Sequence, residues 1–203
     1  PTGFMFAAGT PLTVTVTQIS GLVAGDLNRD MYPEIVLTDA VGNSVIVVRN
    51  QAGSGWDSGT AKTVGSSPAA PRIADINQDG FLDVVNVNTG SNNLSFSTGD
   101  GNANLLVKTD VDVNATAPVD LIIGDVLGDP KPSLLTANSG SNNFTVIRNT
   151  TALAFYGNFP ANNNPYTISL GFFDRTAASG KDVALGNRGN NYVTVLNNGG
   201  LLG

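Results

Sequence analysis

Four stretches of this chain fall into one register: GDLNRDMYPEIVLT from Gly25, ADINQDGFLDVVNV from Ala74, GDVLGDPKPSLLTA from Gly124 and FDRTAASGKDVALG from Phe173. Their leading aspartates, Asp26, Asp75, Asp125 and Asp174, are separated by 49, 50 and 49 residues. The ninth positions, Glu34, Asp83, Ser133 and Asp182, repeat the same 49, 50 and 49. Further on come NSVIVVRN, NNLSFSTG, NNFTVIRN and, one residue early, NNYVTVLN. So many coincidences mean four copies of one structural unit, and a fixed period of this length belongs to solenoids, propellers and arrays.

Within each copy a short apolar run (Gly21–Gly25, Ile73–Ala74, Leu121–Gly124, Ser169–Phe173) leads into an acidic loop. A β-branched or apolar run follows (Ile35–Thr38, Val84–Val87, Leu134–Ala137, Val183–Gly186), then a Gly/Asn/Ser turn and an alternating strand such as Val45–Arg49 or Phe144–Arg148. That is hairpin grammar. A more polar fourth strand is expected around Ala61–Val64 and Val111–Val113. No segment sustains a 3.6-residue period, so the chain is read as all-β, with four four-stranded antiparallel blades of a propeller. A β-solenoid is the weaker alternative, because its rungs are shorter. The single repeat domain 1–203 divides into blades of about 18–66, 67–115, 116–165 and 166–203. The fourth copy stops before its outer strand, and residues 1–17 (PTGFMFAAGTPLTVTVT) have that strand's character. They are expected to complete the last blade, in cis or in trans, and so remove two exposed sheet edges. Pro1 in place of an initiating Met is read as the trace of a removed upstream segment.

Composition narrows the chemistry. Charged residues make up only 13% and the net charge is −6, so no basic stripe exists to neutralise phosphates, and nucleic acid is not an expected partner. The chain has no histidine and no cysteine, which removes the commonest general base, the usual zinc ligand, disulfides and thiolate chemistry. No apolar run approaches the roughly 18 residues of a membrane-spanning helix, so membrane insertion is not expected either. TGDGNAN from Thr98 opens no helix and is a turn, not a nucleotide loop. Catalysis is not expected.

The acidic loop of the second copy, DINQDGFLD, sets oxygen donors at alternating positions with a glycine after the third. Hard cations take six to eight oxygen ligands, and such a curled loop brings alternating donors to one point. Asp75, Asn77, Asp79 and Asp83 would supply side chains and Phe81 its carbonyl. The last acid comes at position 9, not the 12 of an EF-hand, and strands rather than helices flank the loop.

The spacing DxNxDGxxD between two apolar strands, recurring every 49 or so residues, resembles the FG-GAP/VCBS repeats of integrin-α-like β-propellers. LVAGDLNRDMYPEIVLTD and PRIADINQDGFLDVVNVNTGSNN are similar to that family's strand–loop–strand–turn unit. The resemblance implies four-stranded blades with calcium in the first interstrand loop, in proteins found outside the cell; seven blades are usual there, and four depart from that. Carried to the first copy, it implies ligands from Asp26, Asn28, Asp30 and Glu34 and from the Tyr32 carbonyl, with Met31 where the glycine belongs. The third copy has Leu127 and Ser133 in two ligand positions and Pro130 in the turn; the fourth has Thr176, Ala178 and Gly180 between Asp174 and Asp182. These two are expected to be polar Asx-type turns.

Two structural calcium ions, in an extracellular or cell-surface interaction or adhesion module, are thus the leading expectation, the ligand being a protein or a glycan. A second reading is a structural subunit that self-associates into rings or fibres through its terminal strands. A third is a lectin, with Trp56 as a platform for a sugar ring and the Asn-rich tips as hydrogen-bonding groups.

Overall fold

The computed structural model describes residues 9, 11–173 and 180–199, and among these the ordered elements are strands, with no helix. The first sheet holds β1 (Ile19–Gly25), β2 (Glu34–Asp39), β3 (Ser44–Val48) and β4 (Thr60–Thr63) in that order. The second holds β5 (Pro68–Ala74), β6 (Asp83–Asn88), β7 (Asn93–Gly99) and β8 (Leu105–Asp112). The third holds β9 (Pro118–Gly124), β10 (Ser133–Asn138), β11 (Asn143–Asn149) and β12 (Leu153–Pro160). The described part of the fourth holds β13 (Pro165–Gly171), β14 (Asp182–Asn187) and β15 (Tyr192–Leu196). Every neighbouring pair is antiparallel. The four sheets are the blades of a β-propeller, with β1, β5, β9 and β13 innermost and packed in sequence, β1 on β5, β5 on β9 and β9 on β13.

The core lies between blades. Val36, Val45 and Val47 of the first blade meet Val84 and Ile73 of the second. Val85, Val87 and Leu94 meet Leu121, Leu134 and Ile147 of the third. Leu135, Phe144 and Val146 meet Ile168, Val183 and Leu185 of the fourth. A middle strand buried on both faces reads as a continuous apolar run, which is why the second strands stood out in the sequence.

Each hairpin between second and third strands turns through an asparagine in the left-handed region: Asn43 (φ 50°), Asn92 (φ 60°), Asn142 (φ 57°) and Asn191 (φ 56°). Asn tolerates that conformation better than most residues. Three of these side chains also reach the next blade. Asn43 Oδ1 accepts the Ser67 N–H at 3.0 Å, Asn92 Oδ1 the Ala117 N–H at 2.8 Å, and Asn142 Oδ1 the Asn164 N–H at 2.7 Å. Tyr192 pairs with Asn187 as Ser44 pairs with Asp39. Asn191, not Asn190, therefore stands level with Asn43, and the expected one-residue deletion is absent from this hairpin.

The completing strand expected from residues 1–17 is not formed by residues 11–17, which carry no strand. Val14 and Val16 instead pack on Leu37, Ile46 and Val48 of the first blade, and the Thr17 and Gln18 N–H groups donate to Asp39. The physical reason is that the outward face of β2 and β3 is apolar and takes the nearest apolar cover. Residues 1–8 and 10 lie outside the described residues.

Candidate cation-binding loops

The first three acidic loops join the first strand of their blade to the second, so they lie at one end of the propeller. In the second blade the loop curls on its own side chains. Asp75 Oδ2 accepts the Gly80 N–H at 2.9 Å, Asn77 Oδ1 the Asp79 N–H at 2.9 Å, and Asp79 Oδ1 the Phe81 N–H at 2.8 Å. Gly80 sits at φ 92°, a conformation in which glycine is at home. The first loop repeats the curl. Asp26 accepts the Asp30 and Met31 N–H groups, Asn28 Oδ1 the Asp30 N–H at 3.0 Å, and Asp30 Oδ1 the Tyr32 N–H at 2.8 Å. Met31 takes the glycine's place at φ 72° and points outward, 86% exposed. The backbone is thus the same with and without glycine.

The ninth-position acids do something the sequence did not announce. Asp83 is fully buried and accepts the Ile76 N–H at 2.9 Å and, from the far end of β7, the Gly99 N–H at 3.0 Å. Asp182 is used the same way, by Phe173 and Asn198. Glu34, also fully buried, accepts the Leu27 N–H at 2.9 Å. Asp83 and Asp182 thus tie the loop to the end of the third strand, and the Asn50 N–H faces Glu34 in the same relation. Burial pushes the Glu34 carboxyl up; the Leu27 N–H opposes it, and Asp30 adds to it. Burial likewise raises Asp83, against the N–H groups of Gly99, Ile76 and Asn77.

Asp75 Oδ1 in the second loop remains without a partner, and Glu34 Oε1, at the foot of the first, has no close donor although the Asn50 N–H faces that carboxylate. A buried carboxylate oxygen left without a donor costs free energy that a cation would recover. Among the described residues no three Asp, Glu, His or Cys side chains gather closely enough to hold a metal by themselves. A cation in either loop would therefore draw on Asn28 or Asn77 and on backbone carbonyls as well. The donor set, carboxylate, amide and carbonyl oxygen, suits calcium.

The third loop departs as expected. Asp125 Oδ1 caps the Leu127 and Gly128 N–H groups, Asp129 is gripped by the Arg148 guanidinium through two contacts of 2.7 Å, and Ser133 Oγ is buried unpaired. In the fourth loop Asp174, Thr176 and Ala178 lie outside the described residues.

Neighbouring loops also touch. The Arg29 guanidinium donates to the Gly80 carbonyl and lies over the Phe81 ring, 4.7 Å from its centroid. Lys131 Nζ donates to the Asn77 carbonyl at 2.9 Å, and Gln78 to the Pro130 carbonyl at 3.0 Å. Only the register of blades brings these residues together, so no local pattern could have flagged them. A cavity of about 700 Å³ lies elsewhere, between the third and fourth blades beside Phe144, Tyr156 and Phe159. Trp56 lies on the β3–β4 connection, whereas the Asn43 turn is at the opposite end of β3. A sugar platform built from both within this blade is therefore not formed.

Comparison with known proteins places these loops. Residues 26–86 match the model of an FG-GAP-like repeat. No curated protein sequence matches the chain. Among solved structures, BBS1N in complex with ARL6DN, soaked with mercury, is similar at TM-score 0.60 and 10% identity over 89% of this chain and 58% of that one. Virginiamycin B lyase from Staphylococcus aureus is similar at TM-score 0.55 and 13% identity, over 88% of this chain and 55% of that one. The chain spans a little over half the length of these solved chains, and the likeness is one of fold. The first two acidic loops and the strands between them are thus an FG-GAP-like repeat, set in a four-bladed β-propeller.

Proposed function

We propose that the protein is a non-catalytic interaction or adhesion module, working outside the cell, whose first two acidic loops each hold a structural calcium ion. The observation that carries this reading is the unpartnered buried carboxylate oxygen Asp75 Oδ1 in the second loop, whose curl the first loop repeats. Asp75, Asn77, Asp79 and the Phe81 carbonyl would hold one ion, with Asp83 fixing the loop from below; Asp26, Asn28, Asp30 and the Tyr32 carbonyl would hold the other, backed by Glu34. The FG-GAP-like match over both loops supports the interaction role. An extracellular-type site of about 10⁻⁴ M in millimolar calcium stabilises a fold by about 1.4 kcal/mol. That is a structural contribution, and it needs the calcium level found outside cells.

The test is a melting curve in 1–2 mM calcium against excess EDTA, with calcium stoichiometry by equilibrium dialysis. The expected result is a melting temperature several degrees higher in calcium, about two ions bound, and half the effect lost in each of Asp79→Ala and Asp30→Ala. Superimposable curves with no bound ion would remove the assignment. Self-assembly by strand completion draws no support from residues 11–17, which pack on their own first blade instead.

A further inference from the structure

The acidic loops are stitched to one another at equivalent positions. Arg29 and Gln78 are the fourth residues of the first and second loops, counted from Asp26 and Asp75. Gly80 and Pro130 are the sixth residues of the second and third. The Arg29 guanidinium donates to the Gly80 carbonyl, and Gln78 Nε2 donates to the Pro130 carbonyl at 3.0 Å. Each loop thus reaches the next by the same bond, and Gly128, fourth in the third loop, has no side chain to continue the series. Both donors hold the left-handed backbone, φ 65° for Arg29 and 63° for Gln78. That conformation costs a residue with a Cβ and persists where the surroundings fix it.

The first stitch joins the residues offered to the two ions. Arg29 stands between Asn28 and Asp30, and its target Gly80 between Asp79 and Phe81. The guanidinium also lies over the Phe81 ring, 4.7 Å from its centroid, and so steadies the residue whose carbonyl faces the second ion. A side chain on Gly80 would crowd this contact, its Cβ standing 3.3 Å from Arg29 Nη2. Met31 holds the equivalent backbone with a side chain, so Gly80 supplies room for the arginine as well as an unstrained turn. On its far side the second loop leans on the third. There Lys131 Nζ donates to the Asn77 carbonyl at 2.9 Å, and Asp129 is held by the Arg148 guanidinium rather than by an ion.

We infer that the first two loops bind calcium cooperatively, each raising the affinity of the other through Arg29. The inference rests on the reading that both loops take calcium. An ion that orders one loop fixes one end of the stitch, and the other loop then has less freedom to lose when it binds. Such a coupling is reciprocal, and a factor of about five is at the lower end of the usual range. Charge alone works in the opposite direction, because an ion in one loop repels an ion in the other. A positive sign therefore belongs to the stitch.

The Met31 and Gly80 N–H groups donate to Asp26 and Asp75, so their amide NMR signals report the two loops separately in a calcium titration. The titration compares wild type, Asp30→Ala, Arg29→Ala and the double variant. Arg29 is exposed, so its replacement leaves the fold intact. Asp30→Ala, which disables the first loop, is expected to weaken the second about fivefold. Arg29→Ala should weaken the second loop by the same factor, and adding Asp30→Ala to it should change nothing more. Asp79→Ala should in turn weaken the first loop, and only while Arg29 is present. A second loop unchanged or tightened in Asp30→Ala overturns the inference, as does a weakening that persists in full without Arg29. Amides that both respond to calcium, but independently, remove the coupling and leave the site assignment standing. Amides that do not respond at all remove the site assignment and the coupling with it.

Discussion

At the scale of single residues, the two acidic loops share one backbone conformation and differ in what it costs the residue that holds it. Met31 and Gly80 occupy one conformation, φ 72° and 92°, and only glycine adopts it without a Cβ penalty. Met31 is almost wholly exposed, so its side chain contributes no packing to offset that strain. Met31→Gly should therefore raise stability by about 1 kcal/mol, or roughly 2–4 °C in melting temperature for a chain this size. Gly80→Met should lower it by a similar amount; equal melting points for wild type and Met31→Gly would contradict the strain. Asp39 gives a pH test. The N–H of Thr17, then that of Gly42, with Gln18 and Val41, hold its carboxyl down at about 2. A carboxyl lowered in the folded state contributes stability that is present above its ordinary value of about 3.9 and is lost as pH falls from there through about 2. Asp39→Asn should cost about 1–2 kcal/mol at neutral pH, and the gap to wild type should close between pH 4 and pH 2. A gap that stays constant down to pH 2 would show that the charge plays no part.

At the scale of elements, the recurring unit is a hairpin joined to its neighbour, and its joints are polar. Asn88 Nδ2 donates to Asn93 and Ser95, Asn138 Nδ2 to Asn143 and Thr145, and Asn187 Nδ2 to Thr194, so in the last three blades the end of the second strand is tied to the third. Asn92 adds the tie to the next blade. Asn92→Ala loses both the left-handed preference and the 2.8 Å bond to the Ala117 N–H, whereas Asn92→Gly loses only the bond. The alanine variant should be destabilised by about 2 kcal/mol and the glycine variant by about 1 kcal/mol in urea unfolding. Equal losses would assign the whole effect to the hydrogen bond. These ties mark the limit of sequence reading. The period, the strands and the alternating oxygens were legible because each is a local pattern. The roles of Asp83 and Asp182 were not, because their donors Gly99 and Asn198 stand 16 residues away, at a level that only sheet register sets. Residues 11–17 misled for a related reason. TVTVT alternates like a strand, but Val14 and Val16 pack on the apolar face of Leu37, Ile46 and Val48 rather than join a sheet.

At the scale of the whole molecule, stability resides in junctions, since each blade is a thin sheet that buries its faces only against its neighbours. Repeat proteins of this kind are held by the sum of unit and interface contributions. Two equivalent valines then separate the chain's interior from its ends. Val45 is wholly buried at the first junction; Val193, at the same level of the fourth blade, is largely open. Val45→Ala removes two methyl groups from a packed core and should cost about 2 kcal/mol. Val193→Ala should change unfolding by less than about 0.5 kcal/mol, the usual range for an exposed site. Chemical denaturation measures both. A large loss in Val193→Ala would mean that this face is already covered within a single molecule.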